Sequence, residues 1–154
     1  MKQEEIWINH IKNTDVKDVI NEYHNPAHFQ RELADLIKNN SGCGNFNVIE
    51  IGCELGVTSL LLPDKYNKTL LDLNPLAIDL VKKSHKELNK EATFLVADMF
   101  NMPIEDGKYH IVFNAGVIEH FNESERECAF KEYRRILKSN GIMYIAFPNH
   151  YSFP

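Results

Sequence analysis

The chain has 154 residues, which is enough for one domain with a single hydrophobic core. It carries 17 Lys and Arg against 22 Asp and Glu, for a formal net charge of −5, and no basic run marks nucleic acid as a partner. Neither a signal-peptide pattern nor an apolar run long enough to cross a bilayer occurs. Three widely spaced cysteines argue against a disulfide framework or a zinc site. We therefore expect a reduced, cytoplasmic protein with no membrane or metal partner.

Residues 1–40 show apolar side chains at helical spacing, and the pattern is interrupted near Pro26. This predicts two N-terminal helices. The turn-rich segment 39–45 then marks a boundary, because a different hydrophobic rhythm begins after it.

Five short apolar runs follow this boundary, separated by helical patterns. Such alternation predicts right-handed βαβ crossovers and an α/β fold: a Rossmann-like, doubly wound, mostly parallel sheet of about five strands with helices on both faces. Asn74 before Pro75 indicates a helix start, and Ser124 with Glu127 fits a capping box for the last helix. Gly141 is expected to end that helix in left-handed geometry. The predicted strands are 46–51, 68–73, 92–97, 110–115 and 142–147.

The carboxyl ends of parallel strands form the edge at which such sheets bind ligands. Three of the first four predicted strands carry a carboxylate near that end, although a turn or helix cap is the ordinary alternative for each. Asp72 is the most informative, because it lies 20 residues after Gly52, and an acidic residue at that distance binds ribose hydroxyls in dinucleotide folds. A ribose-bearing cofactor is therefore predicted. The strand-end residues are Glu50, Gly52, Gly56, Asp72, Asp98, Asn114, Gly116 and Asn149.

The loop after the first strand departs from the dinucleotide fingerprint. G-x-G-x-x-G would need glycines at 52, 54 and 57, where the chain has Gly52, Glu54 and Val57. At about 6 Å and an effective dielectric of about 20, a carboxylate and a pyrophosphate charge repel by about 3 kcal/mol. S-adenosylmethionine has a ribose, an adenine and a sulfonium cation but no phosphate, so it tolerates Glu54. The alternative is that Glu54 points into solvent.

Five segments in order resemble the motifs of class I S-adenosylmethionine-dependent methyltransferases that act on small molecules. The resemblance covers roughly residues 29–149, and the order and spacing of the motifs are more specific than any one of them. The segments are VIEIGCELG, LLDLNP, FLVADM, YHIVFNAGVIEHF and EYRRILKSNGIMYIAFPN.

The resemblance implies a single methyltransferase domain over residues 1–154, with N-terminal helices at 1–40 and a cofactor-binding core at 45–149. The family normally has two more strands after the fifth, which this sequence lacks. Because an uncovered apolar edge strand favours aggregation, we expect a fragment of a longer protein or a homo-oligomer that covers this edge.

For the methionine end of the cofactor, the resemblance implies a site around the first loop. Gly52 and Gly56 would shape the loop, with Cys53 in the same binding segment. Glu50 would orient the loop and the amino end of the ligand.

For the adenosine end, the resemblance implies contacts from the second and third strand ends. Asp72 would bind the ribose hydroxyls, and Leu73 would lie against the adenine. Asp98 would accept a hydrogen bond from the adenine amino group, with Met99 supplying a backbone or stacking contact.

The end of the fourth strand is expected to serve both the cofactor and the methyl acceptor. Asn114 and Ala115 would lie near the methionine portion through their backbone. Glu119 and His120 are candidates for a general base, which is needed only if the acceptor must lose a proton. A structural role for His120 in its loop is the alternative. Other candidates for the acceptor side are His24, His28, His150 and the aromatic residues Tyr23, Phe29, Tyr133 and Phe147, the aromatics being more typical of a core.

Two other functions stay open. A nicotinamide-dependent oxidoreductase is disfavoured by the broken glycine fingerprint and by the lack of a Tyr-x-x-x-Lys pair. A non-catalytic S-adenosylmethionine- or nucleoside-binding module would keep the cofactor fold without turnover. The sequence does not identify the methyl acceptor.

Overall fold

The computed structural model describes the backbone of residues 3–147 and the side chains of residues 8–147. The elements in chain order are α1 (Gln3–Lys12), α2 (Val16–His24), α3 (His28–Ser41), β1 (Asn47–Ile51), α4 (Val57–Leu61), β2 (Asn67–Asp72), α5 (Pro75–Glu87), β3 (Thr93–Val96), β4 (Tyr109–Ala115), a 3₁₀ turn (Ile118–His120), α6 (Glu123–Ile136) and β5 (Leu137–Ala146). The strands form one parallel sheet in the order β3-β2-β1-β4-β5. The predicted α/β, Rossmann-like fold is confirmed. Asn149 and His150 lie outside the described residues.

The sheet is covered by helices on both faces. Val48 of β1 packs with Leu33 of α3 on one face. Ile49, the next residue of β1, packs with Tyr133 of α6 on the other. A further cluster joins α1, α2, α4 and α5. Because both faces are buried, the central strands contain consecutive apolar residues, at positions 48–49 in β1, 70–71 in β2 and 111–113 in β4.

The N-terminal region forms three helices, so the prediction of two is wrong. The additional break lies between Lys12 and α2, where Asp15 caps α2. Asp15 Oδ1 accepts hydrogen bonds from the backbone N–H groups of Lys17 (2.7 Å) and Asp18 (3.0 Å). The Asp18 carboxylate in turn accepts the Asp15 N–H at 2.8 Å, which completes a capping box.

The start of α6 is also shifted from its prediction, because Asn122 and not Ser124 is the N-cap. Asn122 Oδ1 accepts the Glu125 N–H at 3.1 Å, and Glu125 Oε2 accepts the Asn122 N–H at 2.9 Å. The Ser124 hydroxyl donates to Asn122 Oδ1 at 2.8 Å and so supports this earlier cap. The sequence contains two overlapping capping-box patterns, and the earlier one, Asn122 with Glu125, caps the helix.

Gly141 does not end α6 in left-handed geometry, because α6 runs directly into β5 at Leu137. A Cβ at Gly141 would lie 2.6 Å from Leu137 Cδ1 and 2.9 Å from the backbone oxygen of His110. Glycine is needed here for close packing at a register shift between β4 and β5. The His110 ring links β1 to β5 beside this register shift. Its Nδ1 accepts a hydrogen bond from the Asn47 N–H at 3.0 Å, and its Nε2 lies 2.9 Å from Lys138 Nζ.

Candidate functional site

The loop between β1 and α4 turns back over β2 at the carboxyl edge of the sheet. The N–H groups of Gly52 and Cys53 both donate to the Leu71 oxygen, at 2.8 and 3.0 Å, and the Gly56 N–H donates to the Cys53 oxygen at 2.6 Å. Burial raises the pKa of the Cys53 thiol well above its usual value, so the thiol stays protonated. Cys53 therefore contributes a neutral, packed side chain and a backbone hydrogen bond to the loop.

Both loop glycines are required by close approach as well as by backbone geometry. Gly52 has φ 68° and Gly56 has φ 64°. A Cβ at Gly52 would lie 2.7 Å from Val117 Cγ2, and one at Gly56 would lie 2.5 Å from Leu70 Cδ2. The loop is thus fixed between the end of β4 and the face of β2.

Glu54 adopts the backbone geometry of a glycine without being one. Its φ is 47°, in the left-handed region that L side chains avoid at a cost of about 1–2 kcal/mol. The Glu54 N–H donates to Asp72 Oδ2 at 3.0 Å. Its carboxylate is partly exposed, and Oε1 lies 3.5 Å from Nε2 of His10 on α1.

Asp72 joins the glycine loop to the start of α5. Besides accepting the Glu54 N–H, it accepts the Asn74 N–H on Oδ1 at 2.9 Å. Asn74 caps α5 by accepting the Leu76 N–H at 3.0 Å. A carboxylate offers about four lone-pair sites, so these two bonds leave Asp72 able to accept from a ligand.

Glu50 is a buried acid behind this loop. Its side chain is 5% exposed, and Oε2 accepts the Ser59 N–H of α4 at 3.2 Å. Burial raises its pKa to about 7, hydrogen bonds from Ser59 oppose the rise, and the charges of Asp72 and Glu54 add to it. Near neutral pH the group is therefore close to its point of half-protonation, and a cationic ligand would stabilise its ionised form.

A cleft of about 60 Å³, which we call the acidic cleft, lies between the loop and the N-terminal helices. Among the described residues, three carboxylates and no lysine or arginine contribute to its walls. Phe29, at the start of α3, is 55% exposed beside it. The lining residues are Glu22, Phe29, Gln30, Glu50, Gly52, Cys53, Glu54, Leu55, Gly56, Val57, Thr58 and Ala115.

The predicted adenosine contacts lie at the ends of β2 and β3. Leu73 is 63% exposed directly after Asp72, so its apolar surface is accessible to a planar ligand. Asp98 is exposed and accepts the Phe100 N–H on Oδ1 at 2.9 Å. The Met99 side chain is buried, and its sulfur accepts a hydrogen bond from the Tyr133 hydroxyl at 3.4 Å. Of the two contacts predicted for Met99, the backbone contact fits this position.

Asn114 and Ala115 point to opposite faces of the sheet, as successive strand residues do. Ala115 lines the acidic cleft. The Asn114 amide faces α6, where Nδ2 donates to the Tyr133 hydroxyl at 2.9 Å, and its Oδ1 has no hydrogen-bond partner among the described residues. Burial raises the pKa of Tyr133 to about 12, so this network stays neutral.

Glu119 and His120 lie on the 3₁₀ turn after β4. Arg126 fixes that turn, since Nε donates to the Ile118 oxygen at 3.1 Å and Nη2 to the Glu119 oxygen at 3.2 Å. Glu119 Oε2 is buried without a hydrogen-bond partner in residues 8–147, while Oε1 lies 3.8 Å from the position of a Cβ on Gly116. The Glu119 side chain therefore folds back toward the end of β4, whereas His120 is exposed.

The other predicted acceptor-side residues are not all brought to the cleft. His24 and His28 are exposed, and His28 pairs with Glu32 at 3.8 Å. Tyr133 belongs to the core, but Phe29 lines the cleft. Sequence reasoning missed Glu22, His10 and Gln30, which α1 to α3 bring to the loop.

Two negative findings concern the described residues alone. In that part of the chain, no helix is long and apolar enough to cross a membrane. No group of three or more His, Cys, Asp or Glu side chains is placed there to hold a metal ion.

Residues 48–141 match the family described as methyltransferase domain. The chain is 27% identical over 118 residues to an uncharacterized protein of Methanocaldococcus jannaschii, covering 77% of this chain and 48% of that one. It is 25% identical over 103 residues to ajmaline N-methyltransferase of Rauvolfia serpentina, covering 64% and 35%. The chain thus spans about half the length of the Methanocaldococcus jannaschii protein and about a third of the length of ajmaline N-methyltransferase.

Among solved structures, the fold resembles a provisionally assigned S-adenosyl-L-methionine-dependent methyltransferase from Methanococcus maripaludis. The TM-score is 0.71 at 25% sequence identity, and the match covers 86% of this chain and 64% of that one. S-adenosylmethionine is the cofactor that the matched family and this neighbour imply.

Proposed function

Because the chain belongs to the methyltransferase domain family, we propose that it transfers the methyl group of S-adenosylmethionine to a small-molecule acceptor. The observation that carries this proposal is the acidic cleft, where the part of the chain that the structure describes combines glycine-type loop geometry with three carboxylates and no lysine or arginine. Such a site favours a cation and disfavours a phosphate. A nicotinamide dinucleotide, with its pyrophosphate, fits these residues poorly.

The described residues fit the amino-acid end of this cofactor. Glu50 is buried, and its hydrogen bonds from Ser59 leave acceptor capacity for an ammonium group. Gly52, Cys53 and Gly56 would present backbone to the ligand, because their loop is fixed on β2. Ala115 would close the opposite side of the cleft.

At the adenosine end, Asp72 would accept hydrogen bonds from the ribose hydroxyls with the capacity left by its two backbone bonds. Leu73 would cover one face of the adenine. Asp98 would accept from the adenine amino group, and Met99 would contribute backbone. Asn114 would act through its backbone, since its amide is held by Tyr133.

Bound S-adenosylmethionine would supply a methyl group activated by a positively charged sulfur. The protein's part is then to align the acceptor with that methyl group and to exclude water, which can supply much of the rate enhancement. For an acceptor that loses a proton, Glu119 and His120 are the proposed bases, and Glu119 lies nearer the end of β4.

The proposed setting is a reduced compartment, the cytoplasm, with no nucleic-acid partner. All three cysteines of the chain, Cys43, Cys53 and Cys128, are free, which suits such a compartment. The net charge of −5 gives no electrostatic attraction for nucleic acid.

Calorimetric titration of the protein with S-adenosylmethionine, S-adenosylhomocysteine and NAD tests the proposal. We expect both adenosyl compounds to bind and NAD not to bind. Asp72→Ala should weaken S-adenosylmethionine binding about 100-fold or more, because two hydrogen bonds to a charged acceptor are lost.

Asp79→Ala is the matched control, since Asp79 is an exposed acid on α5 that pairs with Lys83 and takes no part in the site. Its affinity should equal that of the parent. Affinity for S-adenosylmethionine that is the same in Asp72→Ala as in the parent would overturn the assignment. Methyl transfer from labelled cofactor to a metabolite pool then separates an enzyme from a non-catalytic binding module.

A further inference from the structure

We propose that Glu54 makes this site selective for a cationic adenosyl ligand over its neutral demethylated product. The inference rests on the proposed function and deepens it, because it assigns a role to the loop residue that the glycine geometry leaves unexplained. Glu54 would act on the charge of the ligand and not on its shape.

The backbone of the loop supplies no reason for a glutamate at this position. The φ of 47° favours glycine, and the hydrogen bond to Asp72 uses only the backbone N–H of residue 54. A glycine would keep both the loop geometry and that hydrogen bond. The carboxylate is therefore the part of Glu54 that needs an explanation.

The surroundings of this carboxylate are themselves acidic. Glu22 and Glu50 line the same cleft, and within residues 8–147 the basic side chain that contacts Glu54 is His10, 3.5 Å away. Burial raises the pKa of Glu54, His10 opposes the rise, and the charges of Asp72 and Glu22 add to it. A cation bound in the cleft relieves this repulsion, whereas a neutral ligand does not.

Covalent connectivity places the ligand's sulfur near this group. In S-adenosylmethionine the sulfur links the ribose to the amino-acid chain, so it lies between the partners proposed for those two parts, Asp72 and Glu50. The Glu54 backbone is hydrogen-bonded to Asp72, and its side chain lines the same cleft as Glu50. The carboxylate would thus act on the charge at sulfur.

Methyl transfer removes the charge that Glu54 attracts. The acceptor's lone pair forms the new bond to the methyl carbon, and the electron pair of the broken carbon–sulfur bond stays on sulfur, which becomes a neutral thioether. The product therefore loses its attraction to Glu54 at the moment of transfer. Weaker product binding and faster product release follow.

The test compares the affinities of two cationic ligands with that of a neutral one. Parent protein and Glu54→Gln are titrated with S-adenosylmethionine and S-adenosylhomocysteine, and with an analogue carrying an amine in place of the methylsulfonium. Because Glu54 is partly exposed, we expect Glu54→Gln to weaken binding of the two cations relative to the neutral product by about fivefold. Gln keeps the size and backbone strain of Glu and removes only the charge.

Two control variants separate the effect of the Glu54 charge from the effect of backbone strain and from the effect of the protein's net charge. Glu54→Gly removes both the charge and the strain, so it should lose selectivity as Glu54→Gln does. Glu87→Gln changes the net charge equally at an exposed position on the last turn of α5, and its selectivity should match the parent's.

A ratio of affinities that is the same in Glu54→Gln and the parent, or an equal loss for all three ligands, would overturn the inference. In both cases the adenosyl compounds still bind, so the proposed function stands. Failure of the parent protein to bind any of the three would overturn the proposed function and this inference together.

Discussion

Two regions of the molecule share two features. Each contains a buried ionisable side chain whose charged form is destabilised by burial, and each contains a non-glycine residue with left-handed backbone geometry. In the acidic cleft these are Glu50 and Glu54. The second region comprises the end of α5 and a groove beside α5 and β3 that we call the lysine groove; here they are His85, which lines the groove, and Asn89, which directly precedes Lys90 of its lining. Glu54 and Asn89 are the two non-glycine residues with positive φ within the described chain. The lysine groove is lined by Asp79, Lys82, Lys83, His85, Lys86, Lys90, Glu91, Ala92 and Phe94.

The two buried groups are related by a reversal of charge. His85 is 1% exposed, its Nδ1 lies 2.8 Å from the Val81 oxygen, and burial lowers its pKa to about 4. The positive charges of Lys68 and Lys90 add to that fall. Around Glu50 the neighbouring charges are negative and add to a rise. Each group is thus surrounded by charges of the sign that it would itself carry.

The two left-handed residues differ in their cause. Asn89 follows α5, where the Lys90 N–H donates to the His85 oxygen at 2.8 Å and the Asn89 N–H to the Lys86 oxygen at 3.2 Å. This is the Schellman pattern of a helix end, which accepts Asn at that position. Glu54 ends no helix, and glutamate has no such preference. Left-handed backbone geometry therefore has a structural explanation at the end of α5 and lacks one in the loop of the acidic cleft.

The comparison shows that a buried ionisable group with a shifted pKa does not by itself identify a ligand site. His85 has such a pKa, and its Nε2 lacks a hydrogen-bond partner among the described residues, yet the side chain packs edge-on against Phe94 as part of the core. The acidic cleft has, in addition, unexplained backbone strain at Glu54 and three carboxylates with no lysine or arginine among its lining residues in the described chain. These additional features distinguish a proposed ligand site from a buried ionisable group that only packs in the core.

The largest predicted effect on stability is that of Glu50→Gln. The folded pKa of Glu50, about 7, lies above its ordinary value of 4.5, so the group's stabilisation is complete below pH 4.5 and is lost as pH rises through 7. Relative to the parent, Glu50→Gln should gain about 3 kcal/mol in unfolding free energy between pH 4.5 and pH 8. Urea unfolding at both pH values measures this gain.

The same variant should lose affinity for S-adenosylmethionine, because the amide no longer attracts the ligand's amino group. A gain in stability together with a loss of binding is the expected signature of a residue kept for function. Equal stability differences at pH 4.5 and pH 8 would show that the Glu50 pKa is not raised.

The second prediction, for His85→Leu, has the opposite pH dependence. The folded pKa of about 4 lies below the ordinary 6.5, so the stability that neutral His85 contributes is present above pH 6.5 and is lost as pH falls through 4. Relative to the parent, His85→Leu should gain about 2 kcal/mol on going from pH 8 to pH 5. Cofactor affinity should be unchanged, in contrast to Glu50→Gln, and a changed affinity would break the distinction between the two regions.

The sequence was sufficient for the parallel sheet and for the residues at its carboxyl edge, since five apolar runs place Glu50, Asp72 and Asp98 there whatever the details of packing. It was insufficient where two local patterns competed, as at the start of α6. It also could not show that Glu22 reaches the cleft, because the path of α2 depends on tertiary packing. The folding of Glu119 back toward β4 likewise depends on a rotamer.

The smallest predicted effect separates the two left-handed residues. Glu54→Gly should raise the unfolding free energy by about 1 kcal/mol, because the left-handed strain of about 1–2 kcal/mol is removed and the added chain entropy of glycine offsets part of it. Asn89→Gly should change stability by less than about 0.5 kcal/mol, because Asn already suits a helix exit. Thermal or urea unfolding of both variants at one pH measures the difference. If the two variants behaved alike, Glu54 would be as well accommodated by its loop as Asn89 is by its helix end, and its strain would give no reason to assign it a function.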